Sequence, residues 1–367
     1  MRVINVQPQE AIMRGKKEQQ ITMLSALTPD DLVPQDHPIR RIKPIVDQAL
    51  KELSPTFNRM YADVGRPSIP PEHLLKASLL IALYSIRSER QFCERLQYDL
   101  LFKWFLDLNI MDPAFDASSF SKNKARLLEH QVAREFLTAV VGEARRRKLL
   151  SEEHFSVDGT LLEAWASLKS IHPKDGGEPR QPGERNPDVD FRGQSRTNDT
   201  HCSSTDPEAR LARKGTGKEA KLCFAGHVLM ENRNGLVVDV TVTRATGTAE
   251  RDTALDMIEK VPGSKRITVG ADKGYDTQDF VMACREMKVT PHVARRKWSI
   301  VDERTTRHEG YSLSQRTRKR IEEIWGWVKT VGGGRNLRYK GVERNQLWAE
   351  LTAAAYNLVR MAKLVAA

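Results

Sequence analysis

The stretch KLCFAGHVLMENRNGLVVDVTVT, residues 221–243, decides the fold. Two β-like runs, 221–230 and 236–243, flank Glu231-Asn-Arg-Asn-Gly235. Asn-Gly supplies the positive φ angles that a tight turn needs, so the stretch reads as a hairpin. Outward from it, further β-like runs lie at 155–157, 266–270 and 289–294, and helical patterns intervene at about 250–260 and 277–287. Strands, hairpin, helix, strand, helix is the order of an α/β core, a mixed sheet flanked by helices.

N-terminal to this core the period changes. From Leu27 to about Leu150 the apolar spacing is almost wholly helical, which predicts an all-α N-terminal domain over 27–150 behind a polar, unpatterned tail over 1–26. Pro70-Pro71-Glu72 opens a strong helix with Leu74, Leu75, Leu79, Leu80 and Leu83 on its buried stripe, and a second helix starts at Glu89. Asp116 or Ser118 can cap a third, whose exposed face carries Ser121, Lys122, Lys124 and Arg126. A short basic helix after two packed ones suits a helix-turn-helix reader in a DNA major groove; an ordinary solvated helix face has the same pattern.

The remaining chain, 151–367, is expected to form the second domain. Residues 169–215 interrupt it with five prolines and almost no apolar periodicity, which predicts a flexible insertion or a loop ordered on DNA. Lys and Arg number 59 against 48 Asp and Glu, a net charge of +11, and this favours a polyanionic partner. No stretch approaches the roughly 20 apolar residues that span a bilayer and no leader pattern opens the chain, so no membrane partner and a cytoplasmic location are expected. Cys93, Cys202, Cys223 and Cys284 form no CxxC pair or zinc-ligand spacing and read as reduced, mostly buried thiols.

Three acidic positions stand out by placement. Asp158 ends the run Phe155-Ser-Val-Asp-Gly-Thr160, and Asp272 ends Ile267-Thr-Val-Gly-Ala-Asp272, so both are expected at the C-terminal edge of a strand, where carboxylate oxygens can meet a hard cation. A turn-forming or helix-capping Asp is the competing reading of each. Residues 314–330 read as one helix with Ile321, Ile324, Trp325 and Val328 on its buried side. At about 100° per residue, Arg318, Glu322 and Lys329 fall on one other face. A solvated face with an Arg318/Glu322 ion pair would look alike, but it does not explain the setting: residues 301–345 carry 11 Lys and Arg against 6 Asp and Glu. Two divalent ions acting on a phosphodiester need bridging carboxylates. Asp158 would bridge both ions, Asp272 and Glu322 would each complete one, and Arg318 and Lys329 would hold phosphates. Trp325 reads as core and Trp327 as pointing away from Glu322; Trp165 and Lys169 could reach DNA, with packing the stronger reading for Trp165.

The combination DGT at 158–160, ADKGYD at 271–276 and R-x3-E-x6-K at Arg318, Glu322 and Lys329 resembles the DDE transposases of bacterial insertion sequences. More narrowly, it resembles the insertion-sequence-five-like group, with a transposase DDE domain and a helical N-terminal domain. The similarity runs from about Leu27 to the closing helix at 347–360. It implies an RNase H-like catalytic core and a catalytic, metal-binding triad of Asp158, Asp272 and Glu322, with Arg318 and Lys329 as basic companions. It also implies two Mg²⁺ or Mn²⁺ ions, cleavage at terminal inverted repeats, and strand transfer into target DNA without a covalent protein intermediate. Double-stranded DNA is the implied partner, bound by a homodimer or higher assembly that brings two ends together, with the protein nucleoid-associated when bound. The family's tyrosine three residues before the arginine is replaced by Gln315, with Tyr311 the nearest upstream. Glu323 competes with Glu322, which keeps the seven-residue step to Lys329. The rival readings are a nuclease on the same core and a DNA-binding regulator or inactive relic.

Overall fold

The computed structural model describes residues 28–61, 65, 67–174, 197–215, 217–263 and 266–365. The expected tail over 1–26 and residues 175–196 of the expected insertion lie outside them. The chain divides into two compact units, residues 1–150 with 350–367, and residues 151–349.

The first unit is helical: α1 (Pro29–Leu32), α2 (Ile39–Glu52), α3 (Ser54–Arg59), α4 (Pro71–Leu83), α5 (Glu89–Leu96), α6 (Leu100–Phe105), α7 (Ala117–Glu129) and α8 (Val132–Arg146). Short polar side chains set the starts. Ser88 accepts from the Gln91 N–H, Asp99 from that of Phe102 and Asp116 from that of Ser119, each satisfying a donor that the first turn leaves without a partner. Asp116, rather than Ser118, is therefore the cap of α7. Phe92 packs between Phe102 and Phe120, joining α5, α6 and α7 through aromatic contacts.

A buried cluster of charges lies in that core. Lys76 of α4 is wholly buried, its ammonium 2.7 Å from Asp107 and 2.5 Å from Asp47, while Lys43 lies 2.6 Å from Asp107. Burial alone would raise the Asp107 carboxyl, but the two lysines hold it well below the usual carboxylate range. Asp107→Asn keeps the shape and leaves two lysines sharing Asp47. The expected result is a loss of about 3 kcal/mol of unfolding free energy at pH 7 in denaturant titration, because a buried cation stripped of its partner costs far more than an exposed one.

The second unit holds β1 (His154–Glu163), β2 (Ile171–Pro173), β3 (His201–Ser203), β4 (Arg210–Ala212), β5 (Lys221–Glu231), β6 (Val237–Arg244), α9 (Ala249–Glu259), β7 (Thr268–Ala271), α10 (Gln278–Glu286), β8 (Thr290–Val293), α11 (Glu303–Thr306), α12 (Glu309–Thr317) and α13 (Ile321–Thr330). A last helix, α14 (Val342–Leu364), starts in this unit, and its residues from Glu350 on belong to the first. β1 pairs β5 antiparallel and β7 parallel; β7 pairs β8 parallel; β6 and β4 are the other partners of β5. A central first strand, an antiparallel hairpin on one side and two parallel strands on the other is the RNase H-like connectivity. Phe155, Val157, Val269 and Ala271 pack with Ala254 and Ile258 of α9 and Phe280 and Val281 of α10 in the core. The β5–β6 turn is held by buried Glu231, whose carboxylate accepts from the N–H groups of Ser151, Arg233, Asn234 and Leu236, and Gly235 takes φ +68° as Asn-Gly predicted.

The structure departs from the sequence reading in three places. β1 continues to Glu163, so Asp158 lies within a strand rather than at its end. The parallel ladder with β7 covers only 154–156, because β7 stops at Ala271 and the chain turns into a 3₁₀ turn at Lys273–Tyr275. Ser156 pairs Gly270, so Asp158 falls level with Asp272 just beyond the ladder. Residues 314–330 are not one helix: a 3₁₀ turn at Arg318–Arg320 separates α12 from α13, and its different angular step breaks the count from Arg318 to Glu322. Finally, the 169–215 stretch carries ordered strands, since β2 pairs β3 and β4 joins the main sheet.

Candidate active site

Two of the expected carboxylates meet where β1 outruns β7. Burial, then Glu250, then Asp272 push the Asp158 carboxyl up to about 7, with Arg318 opposing them. Asp272 accepts from the Gly274 N–H at 2.6 Å through Oδ1, so it is both the turn-forming Asp of one reading and a site carboxylate of the other. A third carboxylate, Glu250 of α9, was not foreseen. Its Oε1 accepts from the Gly159 N–H at 3.2 Å, and burial and Asp272 raise its pKa. In sequence it is one more acid in a helix's first turn, which the helix dipole explains without any site.

The basic companions lie against the same strand. Lys329 Nζ donates to Thr160 Oγ1 at 2.5 Å, and burial and Lys214 lower its pKa. Gln315 braces Arg318: its Oε1 accepts from Arg318 Nε at 3.0 Å while its Nε2 donates to the His292 carbonyl. Gln315 thus has a defined task where the resembled family has tyrosine, and the Tyr311 hydroxyl donates instead to the Val293 carbonyl at 2.9 Å. Glu322 and Glu323 are exposed on α13. The structure gathers Asp158 and Asp272 and does not draw Glu322 in with them: among the described residues no three His, Cys, Asp or Glu are grouped to hold a metal ion.

Asp158, Asp272 and Glu250 line a cleft of about 610 Å³ that Arg213 and Lys214 also line. Both cations are exposed, and Asn198 pins this stretch by bonding the Leu211 N–H and carbonyl at 2.8 and 2.9 Å. Sequence reading missed them because three-residue strands carry no measurable periodicity. His227, level with Gly159, is buried and pushed down to about 4, so it is neutral at pH 7. Trp325 is core as expected, whereas Trp165, read as packing, is 58% exposed with Lys340 over its ring at 5.3 Å.

The basic face of α7 is largely committed within its own unit. Lys124 pairs Glu89 at 2.9 Å, the Ser121 hydroxyl donates to the same carboxylate, and Arg126 bonds Asn123 at 3.3 Å and lies over Tyr61 at 5.2 Å. Lys122 is exposed.

Asp158 and Asp272 suit a hard divalent cation. Both offer carboxylate oxygens, and Asp272 destabilises the charge on Asp158 in a way that a cation would relieve.

Two family models match the chain: a transposase domain (DUF772) over residues 27–126 and a transposase DDE domain over residues 188–358. Asp272, Arg318, Glu322 and Lys329 lie inside the second match, and Asp158 lies between the two. Among solved structures the chain is similar to piggyBac transposase in a synaptic complex with hairpin DNA, at 8% identity over 90% of this chain and 76% of that one, TM-score 0.41. It is similar also to Mos1 transposase in a paired-end complex with the left transposon end, at 11% identity over 76% and 84% of the two chains, TM-score 0.20. A Mos1 mariner paired-end complex with Mn gives 12% identity over 82% and 90%, TM-score 0.20. No curated protein matches the chain.

Proposed function

The chain belongs to the insertion-sequence DDE transposases, enzymes that cleave DNA and transfer the cut strands, and we propose that Asp158, Asp272 and Glu322 are its catalytic carboxylates at the element's terminal inverted repeats. The observation that carries the assignment is Asp158 level with Asp272, with Arg318 and Lys329 on either side. Support for Glu322 comes from the same flanks. A Cβ at Gly270, which pairs Ser156, would lie 3.4 Å from Arg318 Cβ, and Lys329 reaches Thr160, so this stretch runs alongside β1 from Ser156 to Thr160. Eleven residues at about 1.5 Å and four at about 3.3 Å cover similar lengths, which sets Glu322 over the part of β1 that holds Asp158. Glu322 makes no hydrogen bond or ion pair among the described residues, so its side chain is available to turn inward.

Family members use divalent metal ions. In this chain the three carboxylates would hold two Mg²⁺ or Mn²⁺ ions, which supply charge neutralisation at the scissile phosphate and acidify the attacking oxygen. The side chains do the rest. Arg318 and Lys329 hold the phosphate in line. Water attacks phosphorus, the P–O3′ bond breaks and a 3′-hydroxyl is freed; that hydroxyl then attacks a target phosphate and expels a 3′ oxygen. Neither step forms a bond to the protein.

Residues 27–150 act as the DNA-binding domain, with Lys122 of α7 at the duplex beside the more committed Ser121, Lys124 and Arg126, and residues 151–367 as the catalytic domain. Two ends brought together call for a homodimer or higher assembly, in the cytoplasm and on the nucleoid. No helix among the described residues is long and apolar enough to cross a membrane. Purified protein incubated with a labelled duplex bearing the element's own ends should cleave and join strands only with Mg²⁺ or Mn²⁺. Cleavage without joining would favour the nuclease, and binding without cutting the regulator or relic. Arg213 and Lys214 face the cleft as phosphate contacts. Replacing both by Ala should weaken end binding about tenfold at 0.1 M salt and flatten the dependence of log K on log salt by about 2.

A further inference from the structure

Glu250 is outside the catalytic set, yet it faces both segments that carry the two aspartates. It stands in the first turn of α9, a position where acids normally serve their own helix. Its carboxylate instead reaches across to the sheet. Oε1 takes the N–H of Gly159, the residue after Asp158, at 3.2 Å, and the carboxylate lines the same cleft as Asp272. The hydroxyl of Tyr275, three residues beyond Asp272, opposes the rise in its pKa. Tyr275 is fully buried, its ring 5.1 Å from that of Phe280.

Gly159 makes room for the contact. A Cβ there would come 2.8 Å from both Cγ and Oε1 of Glu250, so a side chain at 159 and a carboxylate at this place exclude each other. The glycine of Asp158-Gly159-Thr160 is therefore needed for close approach, not for an unusual φ.

We propose that Glu250 is a positioning residue for the catalytic metal site: it holds the β1 backbone just beyond Asp158 through the Gly159 N–H, and adds a third negative charge to the cleft that Asp158 and Asp272 line. The inference rests on the reading of those two aspartates as metal ligands. Partners that orient the ligands of a metal typically change its affinity by about 10- to 100-fold. The effect should fall on metal binding, since Glu250 makes no hydrogen bond or ion pair with Arg213, Lys214, Arg318 or Lys329.

The test uses the full chain, with Glu250→Gln, Glu250→Ala and Tyr275→Phe. Mn²⁺ binding is measured calorimetrically without DNA, beside cleavage as a function of Mn²⁺, end affinity and melting temperature. Glu250→Gln should bind Mn²⁺ about tenfold more weakly and need correspondingly more Mn²⁺ for half-maximal cleavage, with saturating Mn²⁺ restoring most of the rate. Its end affinity and melting temperature should match the wild type. Tyr275→Phe, which removes the hydroxyl that opposes the rise in the Glu250 pKa and keeps the Glu250 charge, should weaken Mn²⁺ by about threefold, and it carries the test if the Glu250 variants fail to fold. Wild-type Mn²⁺ affinity in Glu250→Gln, or a lower melting temperature without a change in Mn²⁺ binding, overturns the inference and leaves the metal reading standing. A wild type that neither binds Mn²⁺ nor cuts overturns the metal reading and this inference with it.

Discussion

Asp158→Asn lowers metal-dependent strand cleavage by about a thousandfold, equivalent to about 4 kcal/mol of transition-state stabilisation, and leaves binding to the element ends unchanged. Asparagine keeps the shape of the side chain and the β1 backbone, but cannot carry the negative charge that binds a divalent ion. The cations assigned to phosphate are on other elements, Arg318 beside α13, Lys329 on it and Arg213 and Lys214 beside β4, so end affinity should not follow activity. Asp272→Asn should lose as much. It should also loosen the turn that follows, because Oδ1 accepts from Gly274 and an amide oxygen is the weaker acceptor. The two glutamates of α13 decide the third position. Glu322→Gln should match the aspartate variants in single-turnover cleavage, and Glu323→Gln should cut within a few-fold of wild type. The opposite ranking would move the third carboxylate to Glu323, and full activity in both would remove α13 from the metal site.

The parts of this site that sequence revealed are those with a long-period signal or a dense local one. The 221–243 hairpin was legible because two runs of eight or more residues flank an Asn-Gly turn, and the runs before Asp158 and Asp272 because each is apolar and ends in an acid. Their meeting was not legible as a distance. It depends on Ser156 pairing Gly270, a register fixed only when the sheet assembles. Glu250 was invisible for a different reason: it bonds Gly159 across 91 positions, and its local pattern is that of any acidic helix start. Arg213 and Lys214 were hidden inside a proline-rich stretch whose three-residue strands leave no periodic trace. On α7 the sequence showed the basic face but not its partners. Of Ser121, Lys124 and Arg126, two are taken by Glu89 at the start of α5, 32 and 35 positions away.

In metal-free protein Asp158 should contribute less stability as pH rises. Burial, Glu250 and Asp272 push its carboxyl up to about 7, against an ordinary value of 3.8. Between those two values the folded chain keeps on Asp158 a proton that the unfolded chain has released, so its contribution to unfolding free energy falls from about pH 4 to about pH 7 and is level above. Buried His227 and His292, each pushed down to about 4, contribute the opposite slope, so the comparison with a variant at 158 isolates Asp158. The full difference corresponds to about 4 kcal/mol, and partial exposure to solvent screens it to roughly half, or about 5 °C in melting temperature for a unit of this size. Asp158→Asn removes the proton exchange, so the metal-free variant should melt above the wild type at pH 8, with the gap closing towards pH 4. Saturating Mn²⁺ should reverse the ranking at pH 8, because the ion binds the ionised wild-type site and stabilises the folded state by mass action, which the amide cannot match. Protons and the cation compete for the same oxygens. Half-saturating Mn²⁺ for cleavage should therefore rise about tenfold for each unit of pH below 7. A metal-free variant that melts at or below the wild type at pH 8 would mean that Asp158 folds without strain; the site would then owe its metal affinity to something other than a carboxylate held where its charge is unwelcome.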